Sequence, residues 1–476
     1  MTTRRRLVGI DLGIASAHTV RVLDETGDTL AKRKAYPTVE SLTELEHAAL
    51  AGCCEDTRLE VIVEPTGSAW LPIAVFFISR GHLVFRVSSA KASDLRRFFS
   101  RHTKTNGIDA DTLARLALID PDGLQPLQLP GTEQAALDRR VRACDRLTRV
   151  AAEHKVRIKD LVRQLLPMTP LTGDLGAADL AVLERWADPN ALLRAGVKRL
   201  ATLIAKASHN HQGTDRAQQW LAAARASVDL YGNHPAVAFA DLAAEVATEV
   251  RLLRAVQTEL AHHATERENA YRWVDPTGLA RSLPGLAEVG GPALVAVMGD
   301  PHRFPKGKHF RAFTGLTPKA SETGDTDRKG QAMSKAGSSL LRTTLIRAAD
   351  HARKQDPQLA RIYYIQMVER GKDHLGALCV VAANLAERSW AVMNRRMPYV
   401  ICDTDGRPID ATEAKAIIAE HWTVPAEVRA RRRSNKRGKA PQAAPTGRHG
   451  RGDLPQQRIL DHQPHQRQQP THRRTA

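Results

Sequence analysis

Over the first 120 positions the apolar residues fall in short runs separated by turn-forming residues. Arg6–Leu12 and Thr19–Leu23 are apolar stretches around a Gly-rich turn. Asp24-Glu25-Thr26-Gly27 is a hairpin signal, and Thr29–Tyr36 supplies a third strand. Ser41–Ala51 is helical in period, and Glu60–Glu64 is a short buried strand ended by Pro65-Thr66-Gly67. Leu71–Ser79 fits a helix, and a strand at Leu83–Val87 follows Gly81. From 132 to 270 the pattern lengthens: Val150, His154, Ile158, Leu161, Val162 and Leu165 recur at helical spacing, and Leu242–His262 repeats the theme. A third unit opens with Leu283-Pro-Gly-Leu-Ala-Glu-Val-Gly290 and the apolar helix Pro292–Met298. Beyond about Arg429 the chain is rich in Arg, Gln, Pro and His with no apolar period.

Consecutive strands followed by αβ alternation match a ribonuclease-H-like sheet. The expected layout is an α/β ribonuclease-H-like domain (5–130), a helical or coiled-coil segment (131–277), a mainly α unit (278–400) and a disordered basic tail (426–476). A Pro-Gly turn followed by a Gly that starts a small-residue helix gives the third unit a helix-hairpin-helix-like start, whose backbone amides can face a phosphate. A length of 476 residues exceeds one ordinary core. With 42% hydrophobic but 4% aromatic residues, the cores should be aliphatic.

No run approaches the roughly 20 apolar residues of a membrane span, and no signal-peptide core follows the N-terminus. Cys53, Cys54, Cys144, Cys379 and Cys402 have neither metal-ligand spacing nor a disulfide framework. The expectation is a cytoplasmic protein with no membrane partner. Net charge is +18, but residues 427–476 hold 13 Lys and Arg against three acids, so much of the basicity is a tail. Charge of that kind attracts polyanions without needing a fold.

Two carboxylates sit where strand becomes loop: Asp11 after Leu7-Val-Gly-Ile10, and Glu64 after Val61-Ile-Val63. Asp109 follows in Lys104-Thr-Asn-Gly-Ile-Asp-Ala110, at the start of the helical stretch Ala110–Leu116. Two or three carboxylates and an amide carbonyl suffice for Mg²⁺ (or Mn²⁺), a hard cation that keeps several waters. One or two such ions can activate a nucleophile on a phosphodiester and stabilise the leaving oxygen. Arg96, Arg97, Arg101, His102 and Lys104 surround Asp109 in sequence, as a polyanionic substrate requires. Each acid alone would read as a turn or cap residue; the combination reads as a metal site.

Gly9-Ile-Asp11, Val63-Glu-Pro-Thr-Gly67 and Lys104–Ala110 resemble the RuvC-like half of the Piv-invertase/DEDD insertion-sequence transposases. Leu283-Pro-Gly285, Gly299-Asp-Pro-His-Arg-Phe304, Gly315-Leu-Thr-Pro318, Met333-Ser-Lys-Ala-Gly337 and Leu340-Leu-Arg342 resemble that family's second domain. The resemblance implies a transposase that cuts and rejoins double-stranded DNA. It implies a RuvC-like metal site and a serine-type covalent nucleophile, and an element-encoded structured guide RNA. Asp11, Glu64 and Asp109 match three of the four acids, while the fourth falls on Asn106. Asp111 is a rival, placed on a different helical face. Counting from Pro318 puts Thr323 where the serine belongs, with Ser321 as rival. Arg328, Lys329 and Lys335 would neutralise phosphate beside it, and Ser334 and Ser338 read as helix caps. The composite site implies a homo-oligomer, dimer or tetramer.

Two other readings compete. An actin-like ATPase or sugar kinase also opens with a phosphate loop like Gly9–Gly13, and would need a second such loop, for which Gly173-Asp-Leu-Gly176 is the candidate. An inactive nucleic-acid-binding relic of a transposase would account for Asn106 and Thr323.

Overall fold

The computed structural model describes residues 5–54, 56–99, 105–232, 234, 236–319, 322–323, 326–327 and 331–437, with side chains left out at 322–323, 326–327 and 432–437. The N-terminal part is a five-stranded mixed sheet: β1 (Arg6–Asp11), β2 (His18–Leu23), β3 (Thr29–Ala35), then α1 (Val39–Leu50), β4 (Leu59–Val63), α2 (Trp70–Ser79), β5 (Leu83–Arg86), α3 (Ser89–Phe99) and α4 (Asn106–Ile119). Spatial order is β3-β2-β1-β4-β5. The hairpin strands β1–β2–β3 are antiparallel, and β1, β4 and β5 are parallel, with Gly9 opposite Ile62 and Val63 opposite Arg86.

Side chains on β1 alternate between faces. Val8 and Ile10 pack with Leu42, Leu45, Ile73 and Phe77 under α1 and α2. Leu7 packs with Leu113, Ala114 and Ala117 of α4 on the other face. Each fully buried aliphatic side chain contributes about 1.5–3 kcal/mol, so a one-residue slip that exchanged the faces would forfeit the layer. Asp11, two steps from Gly9 and four from Leu7, belongs to the α4 face.

The middle segment is dominated by α5 (Thr132–Leu165) and α9 (Phe239–Val274). They run antiparallel, since Arg140 meets Glu266 while His154 and Arg157 meet Glu249. At 1.5 Å per residue the hairpin is about 50 Å long. Burial opposes ionisation of Glu249, but His154 and Arg157 outweigh it and hold the carboxyl below its ordinary value. Around the tip lie α6 (Ala177–Trp186), α7 (Pro189–Ala207) and α8 (Thr214–Tyr231), closed over Trp220 and Leu200. The base of the hairpin belongs to another core: Leu137, Val141 and Tyr271 pack with the C-terminal unit.

That unit comprises α10 (Leu279–Ser282), α11 (Gly290–Met298), a 3₁₀ turn at Pro301–Arg303 and α12 (Gly307–Thr314). After these come the short strands β6 (Glu322–Thr323) and β7 (Thr326–Asp327), then α13 (Ser339–Ala352), α14 (Pro357–Tyr364), α15 (His374–Arg395), α16 (Ala411–His421) and α17 (Ala426–Arg437). Gly285 has φ +78°, and a Cβ there would stand 2.3 Å from Ala348 O, so only glycine lets the Pro284-Gly285 turn dock on α13. Helix α11 is buried from Gly291 to Met298. Gly291 N–H donates to Ala287 O, so this amide of the first turn of α11 is taken up within the preceding turn. Helix α15 is long and apolar enough to cross a membrane by length and composition, yet it is the central core helix, half buried.

The basic tail departs from expectation at its start. Residues 426–437 are helical, because Ala, Glu and Arg favour the helix and Val428 packs on the C-terminal core. The remainder, 438–476, lies outside the described residues.

Candidate active site at the sheet edge

A close helix–strand contact organises the acids. A Cβ on Gly9 would stand 2.0 Å from Ala110 O and 2.5 Å from Ala114 N, so α4 lies directly on the backbone of β1. The first turn of α4 therefore reaches past the end of β1, toward Asp11. Thr105 caps it by accepting from Ile108 N–H (3.2 Å), which puts Asn106 at the first helical position and Asp109 within the first turn. The helix expected from Ala110 onward thus starts a turn earlier, at the Thr105 cap. Glu64 directly follows β4, the strand beside β1, and is half-buried with no hydrogen bond or ion pair among the described residues. The intervening turn is held by His18, whose Nδ1 accepts from Gly13 N–H (3.1 Å) and whose burial lowers its pKa below the ordinary imidazole value.

Carboxylates with one amide carbonyl are the donors a hard divalent cation takes. Asp11, Glu64, Asn106 and Asp109 fit such a cation by chemistry and by sharing one sheet edge. Their side chains are not gathered around a point: among the described residues no group of three or more His, Cys, Asp or Glu is close enough to hold a metal ion. Arg96 Nη1 of α3 lies 3.3 Å from Asp109 Oδ1. Asp111, on another face of α4, pairs with Arg115 of its own helix at 2.7 Å.

Of the expected basic residues, Arg97 is exposed near Asp94, and Arg101, His102 and Lys104 lie outside the described residues. Arg21, which the sequence reading passed over, lies against Gly107 at the start of α4, where a Cβ would meet its Nη2 at 2.5 Å.

In the C-terminal unit the segments around Gly315–Pro318 and Met333–Gly337 pair with each other. Lys319 N–H donates to Ala332 O (2.9 Å) and Ser334 N–H to Thr317 O (2.9 Å), with Pro318 bridged to Met333. They form the stem of a hairpin whose outer part pairs Thr323 with Thr326. Thr323 is thus on a strand rather than in an open loop; its side chain, and all of Ser321, Arg328 and Lys329, lie outside the described residues. Lys335 is exposed at the foot of the stem in the left-handed region, φ +54°, and its carbonyl accepts from Arg342 (3.2 Å). Ser338 caps α13 by accepting from Leu341 N–H.

The phosphate loop that a kinase-like enzyme would need is not at Gly173–Gly176. That segment joins α5 to α6 far along the hairpin, where Lys159 bonds Gly173 O and Lys155 pairs with Asp174.

Residues 8–167 match a family described as "Transposase", of the IS110 DEDD type, and residues 278–364 match the "Transposase IS116/IS110/IS902 family". Together they span more than half of the chain. The chain is 25% identical over 400 residues to the "Insertion element IS116 uncharacterized 44.8 kDa protein" of Streptomyces clavuligerus, covering 83% of this chain and 96% of that protein. It is 25% identical over 338 residues to the "Insertion element IS110 uncharacterized 43.6 kDa protein" of Streptomyces coelicolor, covering 68% and 79%. Over 121 residues it is 24% identical to the "Pilin gene-inverting protein" of Moraxella lacunata, covering 25% and 38%.

Proposed function

We propose, from the premise that this chain belongs to the IS116/IS110/IS902 transposase family and is a DNA transposase of an insertion element, that the sheet edge is its metal-dependent catalytic centre. The strand order β3-β2-β1-β4-β5, with the first three antiparallel and the rest parallel, supports a ribonuclease-H-like (RuvC-like) reading of the N-terminal domain. The observation that most supports the proposal is the packing of Ala110 and Ala114 of α4 on Gly9, two residues before Asp11 on β1.

These four residues would hold Mg²⁺ or Mn²⁺, which when bound supplies Lewis-acid stabilisation of phosphoryl oxygens. The hairpin after α12 carries the hydroxyl, Thr323 or Ser321. In the reaction this hydroxyl gives its proton to water, its oxygen bonds phosphorus, and one bridging P–O bond breaks. The released DNA strand leaves with that oxygen, which takes up a proton as a free hydroxyl. The energy of the phosphodiester is kept in a protein–DNA linkage that a DNA hydroxyl later reverses. Arg328, Lys329 and Lys335 neutralise phosphate beside it. The substrate is double-stranded DNA, chosen with an element-encoded structured RNA, and two or more copies of the chain assemble so that metal and hydroxyl domains meet.

Two features favour the alternative of a non-catalytic binder: Asp109 is tied to Arg96, and Asn106 stands where the family resemblance expects an acid. Strand transfer on a supercoiled donor, with Mg²⁺ or Mn²⁺ supplied, separates the two. The catalytic reading expects product from the natural chain and loss of at least about 100-fold in Asp11→Asn. Equal activity of Asp11→Asn would refute the metal assignment, and no product from either would favour the binder.

A further inference from the structure

The C-terminal unit holds a cavity that the chemistry above does not use. It measures about 590 Å³ and lies where α13, α14, the start of α15 and the end of α16 converge on the link to α17. Ligand pockets commonly run from about 300 to 1,000 Å³, so a single small group fits and a duplex does not. Met367 reaches it from a π-helical turn, Ile365–Glu369, which continues α14. In that turn Arg370 N–H donates five residues back, to Ile365 O (2.9 Å). Such turns are rare and recur at functional sites.

The lining is aromatic on one side and unevenly charged on the other. Tyr363, Met367, Ile418 and Trp422 give the apolar part. Tyr363 lies under the Arg353 guanidinium (4.2 Å), and its hydroxyl is 2.8 Å from His374 Nδ1. Nε2 of His374 has no partner among the described residues, and burial keeps the ring below the ordinary imidazole value, hence neutral near pH 7. A neutral imidazole with Nδ1 engaged presents Nε2 as one donor or one acceptor. The acids at the cavity are already engaged. Asp350 pairs with Arg353 (2.6 Å) and Lys354 (3.1 Å), and Asp373 accepts from Gly376 N–H (2.6 Å) as the cap of α15. Arg429 of α17 donates to Val424 O and has no carboxylate partner among the described residues.

An aromatic cavity with one open polar edge group and one uncompensated cation matches the two parts of a nucleotide, base and phosphate. A cationic ligand would meet acids that are already paired, and a purely apolar one would leave Arg429 and His374 unanswered. We propose that this cavity receives one unpaired nucleotide of the DNA strand that the transposase handles. The base lies among Tyr363, Met367, Ile418 and Trp422, with its edge on His374 Nε2 and its phosphate on Arg429. None of these residues belongs to the metal, nucleophile or phosphate groups assigned above, so the site is a second one. A base must leave its stack to enter, so the cavity distinguishes melted from paired DNA.

The test is equilibrium binding of the full chain, in EDTA, to a duplex with one extrahelical base and to the same duplex with an abasic residue there. Without metal the readout is independent of strand transfer, so a failure of that assay leaves it intact. The cavity predicts a preference of about tenfold for the base, lost in His374→Ala and Trp422→Leu and kept in Trp422→Phe. Arg429→Gln should lower the slope of log K against log salt by about one for the extrahelical-base duplex. If melting shows that Trp422→Leu does not fold, the exposed His374 and Arg429 decide alone. No preference in the natural chain, a preference that survives His374→Ala, or an unchanged slope in Arg429→Gln overturns the proposal. So does a preference shown only by the RNA form of the duplex, which would assign the cavity to an RNA strand.

Discussion

The tightest contact at the candidate site is the backbone of Gly9 against α4, and Gly9→Ala tests it with one methyl group. Strand backbone accepts alanine, and on backbone entropy alone the substitution would stabilise by about 0.5–1 kcal/mol. The added Cβ would, however, stand 2.0 Å from Ala110 O, where ordinary contact begins at 3.4 Å, so α4 must withdraw by more than about 1 Å. Overpacking of this kind costs about 1–3 kcal/mol, which reverses the sign of the entropy gain. The withdrawal also carries Asn106 and Asp109 away from Asp11. A shift of about 1 Å at a reacting centre costs on the order of 100-fold in rate. Strand-transfer rate and urea unfolding followed by near-ultraviolet circular dichroism should therefore fall together. Because the obstructing atoms are backbone, adding Ala114→Gly should not restore either. A Gly9→Ala protein that is as active as the natural chain, or more stable, would refute the placement of α4.

Other outcomes follow from side chains already described. Arg96→Met frees Asp109; a partly exposed pair is worth at most about 1 kcal/mol, so calorimetric Mg²⁺ affinity of the DNA-free protein should rise by up to about fivefold. Weaker binding would mean that Arg96 positions the carboxylate instead. Glu46 is held below its ordinary carboxyl value: burial opposes ionisation, but Arg80 and His82 outweigh it. The stability this gives is present above about pH 4.3 and lost as pH falls through the lower folded value. Melting curves of Glu46→Gln should accordingly be flatter on the acid side, and an unchanged acid slope would count against the pair. For the nucleophile, trapping the protein–DNA adduct and sequencing peptide 319–330 should give a modified Thr323 or Ser321; an unmodified peptide rejects both.

The strands were legible because their apolar runs are short and bounded by turns, and β1 to β5 fall within one or two residues of the expected bounds. Asp11 and Glu64 were legible as strand ends for the same reason. The start of α4 was not, because Asn106-Gly107 reads locally as a turn and only the Thr105 cap with packing on Gly9 makes it helix. The helix α16 has a weaker signal although Asp410 caps it by accepting from Thr412 N–H and Glu413 N–H: its apolar face is short, and Ala414 alone is buried. The Arg96–Asp109 pair was visible as neighbouring charge, but its effect on the carboxylate depends on how α3 lies against α4.

The hairpin of α5 and α9 imposes an order on synthesis. Leu137 and Val141 leave the ribosome with α5, but α11, on which this end of α5 packs within one core, follows about 150 positions later. At about 5–20 residues per second, that apolar face waits on the order of ten seconds or more for its partners. During that interval it is an adhesive surface on a helix already formed. A second copy of the chain, translated from the same message, would carry the same surface at the same moment.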